Sequence, residues 1–246
     1  MSGILKEIYS HRDKNRAKAS VWYFKTGKGQ YGEGDIFWGL TVPISRRIAI
    51  KYKDVSLKEI DALIKNKIHE VRLIALFILM YKYKNGSQDG KEKVVKFYLK
   101  NTKYINNWDL VDLPCCHILG DYLYNLPLSW AYGNSPKPSL GERDKILMKL
   151  ANSKNLWEQR IAIVSTLVFV KNGDMKPTLK LAKMFLGHSH DLIHKATGWV
   201  LREVGKRNSA LLYEFLEKNV SKMPRTTLRY AIERFPENLR KEYLRK

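Results

Sequence analysis

The stretch Glu158-Gln159-Arg160-Ile161-Ala162 opens a segment in which apolar residues recur at helical spacing. A basic residue beside apolar ones stands near the start of three similar segments, in Val71-Arg72-Leu73-Ile74-Ala75, His194-Lys195-Ala196 and Leu228-Arg229-Tyr230-Ala231. From Arg160 to Lys195 to Arg229 the step is close to the length of a two-helix repeat. These stretches therefore predict an array of helical hairpins, each with a basic residue near the start of its second helix.

The rest of the chain fits this pattern, because helical spacing dominates and alternation of period two is scarce, which predicts an all-α protein. Stacked hairpins bury a shared core, so we predict a HEAT-like helical-repeat solenoid of about five to six hairpins with a concave basic groove. We expect residues 1–246 to form a single α-solenoid domain, with 126–141 as a surface loop because it is rich in proline and glycine. The predicted helix pairs are 56–66 with 70–83, 90–100 with 108–122, 142–151 with 156–170, 175–186 with 191–206, and 210–220 with 225–235.

The charge of the chain is strongly positive: 45 Lys and Arg stand against 24 Asp and Glu, a formal net charge of +21. Such a balance is typical of a protein that binds a polyanion. If Arg160, Lys195 and Arg229 line the concave side, a phosphate backbone could lie along them, helped by the positive ends of the helix dipoles. Arg46 and Arg47 would add to this face. The alternative is that these are ordinary solvated helix residues.

Several other kinds of site are not supported. The segment 25–37 contains Gly27-Lys28-Gly29-Gln30-Tyr31-Gly32, which matches the dinucleotide fingerprint, but no parallel-sheet unit surrounds it. We expect its glycines to let an N-terminal helix turn back before a helix at 45–52. The histidines at 188–194 lack the further ligands of a metal site, so neither a metal nor a cofactor is expected. Nucleophile-elbow and Walker motifs are missing from the sequence, which argues against acyl transfer and nucleotide hydrolysis.

The adjacent Cys115 and Cys116 cannot form an ordinary structural disulfide, so we expect both to be buried as small hydrophobic residues. The sequence holds no signal-peptide pattern and no apolar run long enough to span a membrane. We therefore expect a cytoplasmic protein, and if the polyanion it binds is DNA, we expect it to associate with the nucleoid when bound.

The stretch Asn107-Trp108-Asp109-Leu110-Val111-Asp112 places a tryptophan and two carboxylates in this positive protein. A carboxylate there repels phosphate, so it needs a chemical or a structural reason. The chemical reason would be to stabilise a cation formed from the nucleic acid. The structural alternative is that Asp112 caps a helix with Pro114 in its first turn, or that Asp109 is the acidic residue of a first turn.

The tryptophans are open to a structural interpretation as well, in which Trp108, Trp157 and Trp199 are all core residues. For Trp157, which has Leu156 and Ile161 nearby in sequence, we favour the core.

A series of motifs through nearly the whole chain resembles the DNA alkylation repair family of AlkD-type DNA glycosylases. The most specific elements are the Trp-Asp-x-Val-Asp pattern at 108–112 and the Gly-Trp-x-Leu-Arg-Glu pattern at 198–203. The further motifs, in order, are Tyr31-Gly32-Glu33-Gly34-Asp35, Phe37-Trp38-Gly39-Leu40-Thr41-Val42-Pro43 with Arg46, and Trp157 with Arg160-Ile161-Ala162.

The resemblance implies a HEAT-like fold and hydrolysis of the N-glycosidic bond of cationic N3- or N7-alkylated purines in double-stranded DNA. It implies a monofunctional reaction in which the damaged base is not flipped out of the duplex. We also expect the protein to be a monomer. The family's catalytic carboxylate falls on Asp112, its lesion- or sugar-contacting aromatics on Trp108 and Trp199, and a backbone contact on Arg160. A further family tyrosine could fall on Tyr23.

These residue types suit that chemistry, because departure of a cationic purine leaves an oxocarbenium-like sugar that a carboxylate stabilises. Tryptophan faces add cation–π stabilisation as the charge grows. Two alternatives remain open: a non-catalytic HEAT-like module that binds branched or damaged DNA, and a protein-interaction scaffold.

Overall fold

The computed structural model describes residues 3–126 and 140–245, and within these ranges the chain is all-helical, as predicted, with no strand. An isolated parallel bridge joins Ile36 to Ile68. The helices are α1 (Gly3–Ser10), α2 (Lys14–Tyr23), α3 (Val42–Lys51), α4 (Leu57–Ile64), α5 (His69–Asn85), α6 (Gln88–Lys100), α7 (Trp108–Pro114), α8 (Asp121–Tyr124), α9 (Leu140–Ala151), α10 (Leu156–Ser165), α11 (Leu167–Lys171), α12 (Lys176–Met184), α13 (Asp191–Arg207), α14 (Ser209–Asn219), α15 (Arg225–Ala231) and α16 (Glu237–Arg245).

All helices predicted in pairs are present, although two of them are divided. The predicted helix 156–170 is α10 followed by α11, and 108–122 is α7, a π-helical segment and α8. Most of the predicted loop 126–141 lies outside the described residues, and α9 already begins at Leu140. The predicted N-terminal helix is two helices, α1 and α2, and α16 was not predicted.

The chain forms two compact units, Met1–Ile118 and Leu119–Lys246, which we call unit 1 and unit 2. Unit 1 is organised around α5, which packs against α3, α4, α6 and α7. Most of α5 from His69 to Leu79 is buried, which explains why its sequence is apolar on nearly every side. The single solenoid domain stays a prediction.

Helix α7 begins at Trp108 because the side-chain oxygen of Asn107 accepts a hydrogen bond from the Trp108 backbone N–H at 2.9 Å. The capping interpretation of Asp112 is therefore wrong, since Asp112 lies near the end of α7. Asp109 is the acidic residue of the first turn, as the alternative proposed. Pro114 lies inside the helix, where it cannot donate a backbone hydrogen bond, and the π-helical segment Cys115–Gly120 follows directly.

Unit 2 is organised around α13, which packs against α10, α11, α12, α14 and α15. Helix α15 comes closest at Gly198. A Cβ atom at this position would lie 2.4 Å from Tyr230 Cβ and 2.5 Å from the Thr227 carbonyl oxygen. The glycine beside Trp199 therefore sets the distance between these two helices.

We predict that Gly198→Ala destabilises unit 2 by about 1 to 3 kcal/mol, the usual cost of forcing extra atoms into a packed contact. Thermal and urea unfolding should both show the loss. Gly187→Ala is the matched control, because no atom lies within 4 Å of the Cβ it would add. Equal stability of the two variants would contradict the close contact.

Candidate active site

A buried cluster of charges lies at the centre of unit 1. Asp35, at the end of the glycine-rich segment, accepts a hydrogen bond from Arg72 Nη2 at 2.6 Å and lies 3.0 Å from His69 Nδ1. The side-chain amides of Asn106 and Asn107 also donate to this carboxylate, at 3.4 and 3.3 Å. The loop that carries Asp35 is thus tied to the start of α5 and to the residues directly before α7.

His69 joins Asp35 to α7, because its second ring nitrogen, Nε2, lies 2.8 Å from Asp109 Oδ2. Burial disfavours a charged ring, but the hydrogen bonds to Asp109 and Asp35 outweigh it and raise the pKa of His69 to about 9. Burial opposes the charge of Asp35 as well, yet its contacts with His69 and Arg72 lower its pKa. At neutral pH, His69 is therefore an imidazolium that donates to a carboxylate from each nitrogen.

Stacked aromatic rings connect this cluster to the surface. Phe24 stacks on Phe37 and on Trp108, with ring centroids 5.0 and 5.5 Å apart, and lies 5.0 Å from the His69 ring. Tyr23 places an edge against Trp108 at 5.9 Å and is 56% exposed. The indole of Trp108 is therefore held in place by two rings, those of Tyr23 at the end of α2 and of Phe24 directly after it.

Asp112 lies four residues after Trp108, so the two side chains share a face of α7. Asp112 is half-buried. Burial raises the pKa of the Tyr98 hydroxyl, and Cys115, Cys116 and Asp112 add to that effect, which places Asp112 near this buried side of α6. Cys115 is buried as expected, whereas Cys116 is only half-buried.

In unit 2, Trp199 is half-buried on α13, and Trp157 is buried, as predicted for a core residue. Arg160 is only 6% exposed and donates from Nη1 to the Leu192 carbonyl oxygen at 2.5 Å. Lys195 forms an ion pair with Asp191 at 2.6 Å.

The basic residues expected along the phosphate backbone are therefore not equivalent. Arg229, Arg46 and Arg47 are exposed, and the Arg46 guanidinium lies 5.0 Å from the Phe77 ring centroid. Arg72, by contrast, is 5% exposed and paired with Asp35. Of the basic residues near the starts of the second helices, Arg72 therefore cannot line a groove for DNA, because a buried carboxylate holds its guanidinium.

Sequence reasoning missed His69, Phe24 and Glu70. Glu70 is buried and accepts hydrogen bonds from three consecutive backbone N–H groups, those of Trp38, Gly39 and Leu40, at 3.0, 2.7 and 3.2 Å. The sequence signal that could have revealed His69 and Glu70 is their position directly before a long apolar run, because polar residues at such a position are expected to be buried. Within the described ranges no group of three or more histidine, cysteine or acidic side chains is placed to hold a metal.

The chain belongs to a known class of protein: it is a member of the family of DNA alkylation repair enzymes, whose family model matches residues 4–235. Among solved structures it is similar to a chain described as "Predicted DNA alkylation repair enzyme from Enterococcus faecalis". The TM-score is 0.69 with 17% identical residues, over 92% of this chain and 98% of that one, which supports the all-helical fold.

The search of curated proteins gives no match. Family membership assigns the protein to the repair of alkylated DNA. In the part of the chain that the structure describes, no helix is long and apolar enough to cross a membrane.

We predict that His69→Gln lowers the free energy of unfolding most at neutral and mildly acidic pH. The raised pKa of His69 contributes stability that is fully present below about 6.5 and is lost as the pH rises through about 9. The stability that this raised pKa contributes at low pH, and that is lost above pH 9, amounts to roughly 3 kcal/mol. Urea unfolding of both proteins at pH 6, 7, 8 and 9 should show the gap between them narrowing as the pH rises.

His11→Gln is the control for this experiment, because His11 is an exposed histidine of the same unit. Its unfolding curve should follow that of the unsubstituted protein at every pH. A constant gap for His69→Gln across the series would show that the imidazolium does not provide the stabilisation.

Proposed function

We propose that the protein is a DNA glycosylase that hydrolyses the N-glycosidic bond of N3- or N7-alkylated purines in duplex DNA and leaves an abasic site. The observation that carries this proposal is the pairing of Trp108 and Asp112 on one face of α7. The start of that helix is held by the partly buried contact between His69 and Asp109. An aromatic ring and a carboxylate are thus presented together from a fixed helix.

The reaction needs little from the protein besides stabilisation of positive charge. When the bond from C1′ to the purine nitrogen breaks, the electron pair goes to the purine and neutralises its alkylation charge. The sugar becomes oxocarbenium-like, and Asp112 stabilises that charge while it holds the water that adds to C1′. The proton of that water leaves through Asp112 to solvent. Because alkylation already activates the leaving group, no strong general acid is required.

Trp108 is proposed to contact the sugar and the lesion. An aromatic face stabilises a cation more as its charge grows, which lowers the energy of the transition state more than that of the ground state. Its stacking on Phe24 supports this role, since a ring held by a neighbour needs no reorganisation during the reaction. Tyr23 is proposed to contact the same lesion. Trp199 of unit 2 is also proposed to contact the lesion or its sugar.

The lesion is proposed to react without base flipping, as the resemblance implies, with DNA-backbone contacts from Arg229, Lys195, Arg46 and Arg47. Exposure of the three arginines supports these contacts. Arg160 stays a proposed backbone contact, although its guanidinium is largely buried and holds the Leu192 carbonyl.

We predict that Asp112→Asn abolishes most base release from a duplex that contains 7-methylguanine. Loss of a preorganised electrostatic group slows such a reaction by about 100-fold or more. Affinity for the duplex should stay equal or rise slightly, because a charge that repels phosphate is removed. Free base measured by chromatography under single-turnover conditions, together with binding anisotropy, tests both parts.

The control variant Asp89→Asn removes the same charge from an exposed position in the first turn of α6 and should excise normally. Normal excision by Asp112→Asn would refute the mechanism. If the unsubstituted protein binds the duplex but releases no base, the protein is instead a non-catalytic module for damaged DNA.

We predict that Arg229→Ala reduces the slope of log affinity against log salt concentration by about one unit on undamaged duplex, since one phosphate contact is lost. The loss of affinity should be alike for every DNA sequence, because backbone contacts carry no base information. Lys241→Ala is the matched control, since Lys241 lies in α16 beyond the residues that the family model matches. Equal slopes for the two variants would place the DNA elsewhere.

A further inference from the structure

Helix α2 differs from every helix around it because none of its residues is buried. A helix that buries nothing gains little stability from packing. Its N-terminal end is nevertheless anchored, since the Asp13 N–H donates to the Trp38 carbonyl oxygen at 2.8 Å. Gly39 makes this approach possible: its φ is +82°, and a Cβ atom there would lie 2.1 Å from the Asp13 carbonyl oxygen.

The C-terminal end of α2 is anchored at the proposed active site, where Tyr23 contacts Trp108. The neighbouring Trp22 is 75% exposed, an unusual position for the largest apolar side chain. The ammonium of Lys25 lies 4.8 Å from the centroid of the Trp22 ring. The exposed indole of Trp22 therefore belongs to the residue directly before Tyr23, whose ring contacts Trp108.

The face of α2 that carries Trp22 is positively charged. Lys14, Lys18 and Trp22 are spaced by four residues each, so they lie along one side of the helix. All three are exposed, as is Lys25. Within the described part of the chain no carboxylate forms an ion pair with any of these lysines. The face thus consists of unpaired positive charges that end in an exposed aromatic ring.

We propose that this face of α2 binds the DNA that carries the lesion, with Lys14 and Lys18 along the phosphate backbone and Trp22 stacked on a base that has lost its pairing partner. The proposal rests on the proposed function for the presence of DNA at Trp108. Charge complementarity selects a polyanion. The exposed ring selects a nucleobase, because stacking on an aromatic side chain is sequence-independent and every base offers a face.

The position of Trp22 relates this contact to repair. Removal of the damaged purine leaves the opposite base unpaired, and a ring beside the site of base release can stack on such a base. Trp22 would then favour the abasic product and distorted duplexes over intact DNA. An enzyme with this property holds its product after base release.

The test compares two duplexes of one sequence, one fully paired and one with a tetrahydrofuran abasic analogue, by fluorescence anisotropy at one salt concentration. We expect Trp22→Ala to weaken binding of the abasic duplex by about 10-fold and of the paired duplex by less than about 2-fold. Trp22→Phe should restore most of the loss, because phenylalanine still stacks. Lys18→Ala should weaken both duplexes alike and reduce the salt slope by about one unit.

Two control variants complete the set: Ile50→Ala, which truncates an exposed apolar residue of α3, and Lys58→Ala, which removes an exposed charge of α4. Both should leave the preference for the abasic duplex unchanged. Unchanged melting temperatures for the Trp22 variants would confirm that this ring has no structural role.

Equal loss of affinity for the two duplexes, or no loss for Trp22→Ala, would overturn the proposal. It would also fail if Trp22→Ala bound DNA normally but lost binding to vesicles of phosphatidylcholine and phosphatidylserine, because the face would then serve a membrane. Base release is not measured in this experiment. A protein that excises no 7-methylguanine but shows the Trp22 effect therefore refutes only the proposed function.

Discussion

The structure of unit 1 depends on the position of one imidazolium between two carboxylates. His69 connects Asp35 in the glycine-rich segment to Asp109 in the first turn of α7, and its ring stacks on Phe37. Three segments that are distant in sequence therefore meet at one side chain. Since α7 carries both Trp108 and Asp112, the placement of the proposed active site follows from this contact.

A buried charge cluster of this kind is stable only when every charge has a partner, because an unpaired charge in the interior costs several kcal/mol. Here two carboxylates, Asp35 and Asp109, face two cations, His69 and Arg72, and the side-chain amides that precede α7 complete the shell of Asp35. Glu70 is satisfied by backbone N–H groups. These contacts orient the Gly39 segment and α7, whereas apolar packing alone would leave their register less strictly defined.

The basic residues divide into two groups by burial. Arg72 and Arg160 are buried and hold other parts of the protein, a carboxylate in one case and a backbone carbonyl in the other. Arg229 and the lysines of α2 are exposed and available to phosphate. The high net charge therefore includes side chains that hold the fold together. Family membership in DNA alkylation repair gives the exposed group a partner of suitable charge.

The sequence by itself determined the all-helical class, the approximate positions of the paired helices and the family, because helical periodicity and short motifs are local properties. The sequence left open whether Asp112 caps a helix, and only the observed bounds of α7 place Trp108 and Asp112 on one helix face, four residues apart. Only the tertiary structure decided that Arg72 is unavailable to DNA and that His69 and Phe24 support Trp108. These outcomes depend on contacts between residues more than 30 positions apart, such as Asp35 with His69 and His69 with Asp109. Periodicity carries no information about such pairs, because burial and pairing of charge are settled only when the segments pack together.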